Sequence, residues 1–370
     1  MNNLNAKKQR FLFIDQFRGL IVILMLVDHT SYYFNAIWKQ IDPLDPLFDS
    51  WGQFVLRYLP YLCAPGFLMI FGTMTWWSFH RRKEKGEAIR STRWYLVKRG
   101  LFLVLLQVTW VNSSWGGFRE FQPWHLGIIA CIGISMILLS LIIHWNWRFL
   151  LLAGIVLLLA HPLLYQISYD QENVWQRVIM QTFIDAGSFN KYPVLPWFGL
   201  AILGAVMGRF WLEAWQSDHK KIINSLLIAL LAIMLAVALR LGRGYGNIFP
   251  FSSFGSLSFF TDQKYPPSLF MNLWFFAFVL IGVSGFIALG KYLPWLMEIF
   301  SIPGRVPLFF YGVHIALMGI FVKRTSWFYR EGTVTESLIG FAIMMLVMYP
   351  LCIWFYRVKM KSNNFIIRMI

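Results

Sequence analysis

The chain has 370 residues, 58% hydrophobic and 14% charged, with a mean hydropathy of +0.57. A soluble domain carries about a quarter charged residues, so this composition excludes an ordinary soluble enzyme and describes an integral membrane protein. The formal charge of +16, from 33 Lys and Arg against 17 Asp and Glu, falls in short runs between apolar segments. That distribution speaks for membrane topology and anionic lipid or ligand contacts, and against nucleic acid as a partner.

Residues 1–10 read as a short cytoplasmic tail, 11–357 as a single transmembrane domain and 358–370 as a second cytoplasmic tail. Apolar runs of about 20 residues, the length that a bilayer requires, predict ten transmembrane helices. They lie near 17–36, 59–79, 96–112, 124–144, 147–165, 193–213, 222–241, 269–290, 306–323 and 336–356. The first run carries Asp and Arg and lacks a small-residue cleavage site, so it reads as a retained helix and not as a signal peptide. KYLPWLMEIFSIPGR (291–305) is too short and too punctuated by proline to cross, and is predicted as an interfacial or re-entrant helix.

With ten spans, the basic runs KKQR, HRRKEKGEAIRSTRWYLVKR (80–99), Lys220–Lys221 and RVKMK (357–361) share one side. The positive-inside rule makes that side, and both termini, cytoplasmic. The opposite side receives the acidic IDPLDPLFDS (41–50), the amphipathic 169–190 segment and a long Gly/Ser/Phe-rich loop over 242–268. Loops of that length with turn chemistry often form binding lids. The fold class is all-α, a polytopic helical membrane bundle, with no internal repeat visible.

Arg18 and His29 carry the most chemistry. Eleven helical residues at about 100° and 1.5 Å each return to the same face roughly 16 Å further on. Ionisable groups at that depth usually face a protein interior and have a function there. A buried neutral imidazole suits a general base. The structural alternative is an ion-paired helix end with a satisfied buried histidine. Asp15 and Arg18, three apart, are placed to pair, while Asp28 lies about 100° round the helix from His29.

His125 opens the fourth span. His314 lies in the ninth, one turn beyond Tyr311 on the same face. Each is a candidate interhelical hydrogen-bonding group, and together with His29 they are candidates to line one cavity. His161 reads as interfacial, and His80, His144 and His219 receive no role. Cys63, Cys131 and Cys352 all fall in apolar spans, so no disulfide framework is implied. No HxxxH, HExxH or Cys/His spacing suggests a metal, and no GxSxG, Walker or dinucleotide motif is present. Gly304, Arg305 and Pro307 open the ninth helix, where N–H groups and a cation suit a phosphate. Arg81, Arg82, Arg93, Lys98 and Arg99 crowd the same side, as topology determinants or as a site for a polyanionic ligand.

RFLFIDQFRGLIVILMLVDH resembles the first-helix signature of membrane acyltransferases related to heparan-alpha-glucosaminide N-acetyltransferase. LPWFGLAILGAVMGR (195–209), KYPPSLF (264–270) and GRVPLFFYGVHIAL (304–317) resemble its bacterial branch. The Arg18-x10-His29 spacing also resembles the arginine–histidine motif of a broader class of membrane acyltransferases. The lysosomal members differ: they carry asparagine at the position of His29 and place their active histidine eleven residues on, where ungapped counting finds Gln40.

The resemblance implies a multi-pass enzyme of a bacterial cytoplasmic membrane, either monomer or homodimer. It would move an acetyl or other acyl group from cytosolic acyl-CoA, chiefly acetyl-CoA, to an amine or hydroxyl of a sugar or glycan outside. Arg18, Arg99 and Arg305 would hold the CoA phosphates, His29 would act as base, and Tyr311, His314 or His125 would orient it or stabilise the oxyanion. A covalent acyl-histidine remains open. The rival readings are a proton-coupled transporter, which moves substrate without consuming acyl-CoA, and a non-catalytic scaffold.

Overall fold

The computed structural model describes residues 12–38, 50–119 and 121–370. Gln40 and all but the last residue of the acidic 41–50 loop lie outside the described residues, as does the expected 1–10 tail. The helices are α1 (Leu12–Phe34), α2 (Trp51–Glu84), α3 (Ile89–Trp115), α4 (Ile128–Ile142), α5 (Trp147–Leu164) and α6 (Val174–Phe183). They continue with α7 (Val194–Ala214), α8 (Asp218–Gly242), α9 (Leu269–Tyr292), α10 (Pro294–Arg305), α11 (Pro307–Lys323) and α12 (Val334–Lys361). Each of the ten predicted apolar runs is helical, and among the described residues there is no strand beyond isolated bridges.

Among the described residues, α2, α3, α5, α7, α8, α9 and α12 are each long and apolar enough to cross a membrane. The pair α10–α11 qualifies jointly, bent by 74°. Helix α4 is apolar but only 15 residues long, and α1 carries Asp15, Arg18 and Asp28 within its 23 residues. The chain is a multi-pass helical membrane protein.

Local chemistry explains the boundaries. Ser217, Asn146 and Asn173 cap α8, α5 and α6 with side-chain oxygens, and Thr333 forms a capping box with Glu336 at the start of α12. The α10–α11 bend falls where Pro307 has no N–H to continue the ladder and Val306 leaves the helical region (φ −134°). Within the 291–305 segment, residues 294–305 form a short helix that turns by 74° into the next one.

The chain divides into two compact units, Met1–Cys63 with Trp110–Gln122 and Gly282–Ile370, and Ala64–Thr109 with Pro123–Ile281. In the first, α1 is embedded among α10, α11 and α12. Gly19 meets the Phe300 carbonyl and Gly304 the Asp15 carbonyl so closely that neither position has room for a Cβ. In the second, α3 crosses α4 at Gly100 and Gly133, and α5 crosses α7 at Gly154 and Gly199. Thr73 of α2 donates to the Gly204 carbonyl of α7 at 2.8 Å. Small residues let apolar helices approach by backbone contact, since lipid gives no hydrophobic drive for them to associate.

Candidate active site

The first unit brings His29 of α1 to His314 of α11. His29 Nδ1 lies 2.7 Å from His314 Nε2, with the rings 5.0 Å apart and 14° from parallel. His314 is wholly buried, and its Nδ1 is 2.6 Å from the Phe310 carbonyl oxygen one turn earlier. Proton positions follow from these partners. A carbonyl only accepts, so His314 Nδ1 carries hydrogen. In a neutral ring Nε2 then bears the lone pair and accepts from His29 Nδ1–H. A neutral His29 consequently carries its own lone pair on Nε2. The row Phe310 carbonyl, His314, His29 thus selects one tautomer of His29.

An aromatic wall surrounds this pair. Trp115, at the end of α3, meets His29 edge-on at 5.1 Å, and Tyr311 does so at 5.8 Å. Trp115 Nε1–H donates to the Tyr311 hydroxyl at 3.4 Å, and Trp110 Nε1–H to the Gly312 carbonyl at 2.9 Å. Lys323 Nζ donates to the Trp115 carbonyl at 2.8 Å, and Gly319 packs on the Ser114 carbonyl. These ties hold the 110–117 segment against α11. Asp28 is half-buried on the adjoining face of α1 and takes no part in the row.

At the other end of α1, the Arg18 guanidinium bonds both the Asp15 carboxylate and the Gly304 carbonyl. Arg305 pairs with Glu298 at 3.1 Å and covers the Tyr356 ring at 5.3 Å. Arg18, Arg305, Lys359 and Glu298 all lie within electrostatic reach of Asp15, so three cations and two carboxylates form one cluster. Gly304 serves the tight crossing with α1, and its Cα face is filled by backbone.

Two predicted residues belong to the second unit. Arg99 Nη1 reaches the Tyr95 hydroxyl at 3.4 Å, and Arg82 covers the same ring while pairing with Glu87. His125 Nδ1 lies 3.0 Å from the Ser188 carbonyl, beside the pairing of Leu126 N–H with the Phe189 carbonyl. Burial lowers the His125 pKa, the Ser188 hydrogen bond raises it, and Lys191 lowers it again. Among the described residues no three His, Cys, Asp or Glu side chains gather as a metal site.

Sequence reasoning missed Trp115, the Phe310 carbonyl, Lys359 and Arg240. Arg240, fully buried in α8, donates to the Phe259, Ser258, Thr261 and Phe249 carbonyls and to Asn247, and pairs with Asp262 at 3.4 Å. Asp262 accepts in turn from the Ile248, Phe249 and Gln263 N–H groups. Burial raises its pKa, against the opposing effect of these donors and of Arg240. A lone arginine near a helix end reads as a snorkelling cation, so only the loop's return over it reveals the knot.

No protein among those with curated descriptions matches the chain. The family model described as heparan-alpha-glucosaminide N-acetyltransferase, catalytic, matches residues 10–243, well over half of the sequence. That stretch includes Asp15, Arg18, His29 and Trp115 and stops before Tyr311 and His314. With its helices of membrane-crossing length and this match, the chain belongs to the heparan-alpha-glucosaminide N-acetyltransferase family of transmembrane acetyltransferases.

Proposed function

We propose that this chain carries an acetyl group from acetyl-CoA to an amine or hydroxyl of a sugar on the opposite side of the membrane, with His29 as general base. The observation that carries the reading is the row from the Phe310 carbonyl through His314 to His29. His29 Nε2 takes the proton of the acceptor N–H or O–H as that nitrogen or oxygen attacks the thioester carbonyl carbon. The charge that develops on the imidazole is spread through the N–H that Nδ1 donates to His314.

The Tyr311 hydroxyl donates to the oxyanion. Its oxygen already accepts from Trp115, which polarises the O–H and makes it a stronger donor. Collapse of the tetrahedral intermediate breaks the C–S bond, and His29 returns the proton to the departing sulfur. The products are the acetylated acceptor and the CoA thiol, so every atom is accounted for without an acyl-histidine.

The cluster of Arg18, Arg305 and Lys359 supports binding of the donor's phosphates at the N-terminal end of α1, with Asp15 steadying Arg18. The row leaves no step for Asp28 or His125. In this reading the protein is a multi-pass enzyme of a bacterial cytoplasmic membrane with both termini inside, as the basic runs favour.

The test uses purified His29→Ala protein and labelled acetyl-CoA. Transfer is expected to fall about 10²–10⁴-fold, with thermal stabilisation by acetyl-CoA retained. Full transfer by the variant overturns the proposal. Substrate flux without acceptor-dependent CoA release would establish the transporter instead.

A further inference from the structure

We infer that the turn between α4 and α5 holds the phosphate of an anionic phospholipid, a ligand separate from acyl donor and acceptor. The turn lies within the second unit, and nothing in the inference depends on the acetyl-transfer reading. Trp147, the first residue of α5, has the Arg148 guanidinium 5.6 Å and the Arg209 guanidinium 5.7 Å from its ring centre. Phe210 meets the same indole edge-on at 5.2 Å and stacks on Trp215 at 5.1 Å, which fixes this end of α7 beside it. At the α4 end of the turn, Arg93 of α3 donates through Nη2 to the Leu141 carbonyl and to His144 Nδ1, both at 3.1 Å. Three arginines from three helices therefore stand round one short turn.

Their donors are largely unspent. Among the described residues the Arg148 guanidinium makes no hydrogen bond or ion pair, only its contact with the indole. Arg209 has a loose 3.8 Å approach to Glu213, and Arg93 Nε is buried without a partner. Like charges gathered with a single, distant carboxylate repel one another, and an anion among them removes that cost. The guanidinium fork fits the paired oxygens of a phosphate. Topology alone needs a positive charge on this side of the membrane. It does not need two guanidiniums clamped on one ring and a third tied to a backbone carbonyl.

The surface that continues from the turn makes the anion a lipid's. Arg148, Leu152, Ile155 and Leu159 recur at i, i+4, i+7 and i+11, one face of α5, and the three apolar members are exposed. Helix α5 is long and apolar enough to cross a membrane, yet only 22% of its apolar window is buried inside the protein, so this stripe faces acyl chains. Trp145, exposed in the turn, stands at the level where indoles meet headgroups. A phosphodiester at Arg148 with its chains along α5 satisfies both surfaces, whereas a free phosphate satisfies only the first. A choline head would bring its own cation to the three arginines, so the fit is to a lipid of net negative charge.

Native mass spectrometry of the full-length protein in neutral detergent measures binding of dioleoyl-phosphatidylglycerol and dioleoyl-phosphatidylcholine, which share their chains and differ in charge. The anionic lipid is expected to bind at least about tenfold more tightly, because each arginine near the head adds to the attraction. In the double variant Arg148→Gln, Arg209→Gln that ratio falls towards one. Lys85→Gln with Arg90→Gln removes two exposed charges from the 80–99 loop and leaves the ratio unchanged. An unaltered melting temperature shows that a variant is folded; should the double variant fail this check, Arg148→Gln alone decides, since its exposed side chain makes no hydrogen bond. Equal binding of the two lipids by the wild type overturns the inference, as does a ratio that survives loss of Arg148 and Arg209 or falls equally in the 85/90 variant. Displacement of phosphatidylglycerol by acetyl-CoA or inorganic phosphate overturns it too, by giving the arginines to a soluble anion.

Discussion

Gly304 lies against the carbonyl oxygen of Asp15, and this one contact sets how closely α10 approaches α1. A methyl group at 304 collides with backbone, which has no rotamer to escape to. Gly304→Ala is expected to destabilise the protein by about 1–3 kcal/mol, as overpacking does. It also displaces the Asp15–Arg18–Gly304 hydrogen bonds, so with the proposed donor site there, stabilisation by acetyl-CoA should weaken with it. Thermal melts with and without acetyl-CoA check both effects; an unchanged midpoint refutes the first.

Arg240 predicts the behaviour of the 242–268 loop. Sequence reading makes this loop a candidate lid, whereas in the structure its carbonyls converge on a single buried cation. Removing that cation leaves buried Asp262 without its counter-charge, held only by the Ile248, Phe249 and Gln263 N–H groups. Arg240→Met is expected to cost about 3–5 kcal/mol, the usual penalty for breaking a buried pair. Limited proteolysis should then cut within 242–268, with the wild type expected to resist.

These two cases show what was legible in the sequence. The ten apolar runs and the Asp15–Arg18 pair follow from local rules, because helix length and i, i+3 spacing are properties of neighbours. His29 and His314 were recognisable singly as intramembrane histidines. Their pairing was not, because 285 positions separate them and nothing local encodes which helices touch. The Phe310 carbonyl is invisible for a different reason: every residue has one, and only the fold decides which is aimed at an imidazole. Trp115 reads as an ordinary helix-end residue in a chain with 18 Trp.

The pH dependence of stability follows from His125. Burial holds its pKa below the usual value despite the Ser188 hydrogen bond. The unfolded chain binds the proton at about pH 6.5, so between that value and the lower folded one it carries more protons than the fold. The His125 contribution is complete above about pH 6.5 and is lost as pH falls towards the folded value. His125→Gln, which keeps a donor for Ser188, should flatten the melting temperature measured from about pH 7 to 5. An unchanged slope shows that other groups set it.

In the proposed reaction His314 acts through His29, and the choice of replacement separates that role from bulk packing. His314→Leu removes the acceptor for His29 Nδ1–H and frees the ring to flip or adopt the other tautomer. Its kcat should fall about 10²-fold or more, on the scale of general-base catalysis, with KM for acetyl-CoA little changed. His314→Gln offers an amide oxygen to the same N–H and should recover part of that loss. Equal rates for Leu and Gln would mean that only volume matters at 314.

Trp115 and Tyr311 test whether the proposed oxyanion donor is tuned by its neighbour. Tyr311→Phe removes the hydroxyl and should lower kcat by about 10²-fold, as loss of one oxyanion donor does. Trp115→Phe keeps an aromatic ring beside His29 and Tyr33 but removes the indole N–H that polarises the hydroxyl, so a smaller loss is expected. If the indole works through the hydroxyl, the double variant should be no slower than Tyr311→Phe alone, because the bond that Trp115 would strengthen is already gone. Additive losses would assign the two side chains independent roles, with Trp115 acting by its contact with His29. The cycle needs kcat from all four proteins at saturating acetyl-CoA, and the coupling energy it returns measures the hydrogen bond now seen at 3.4 Å.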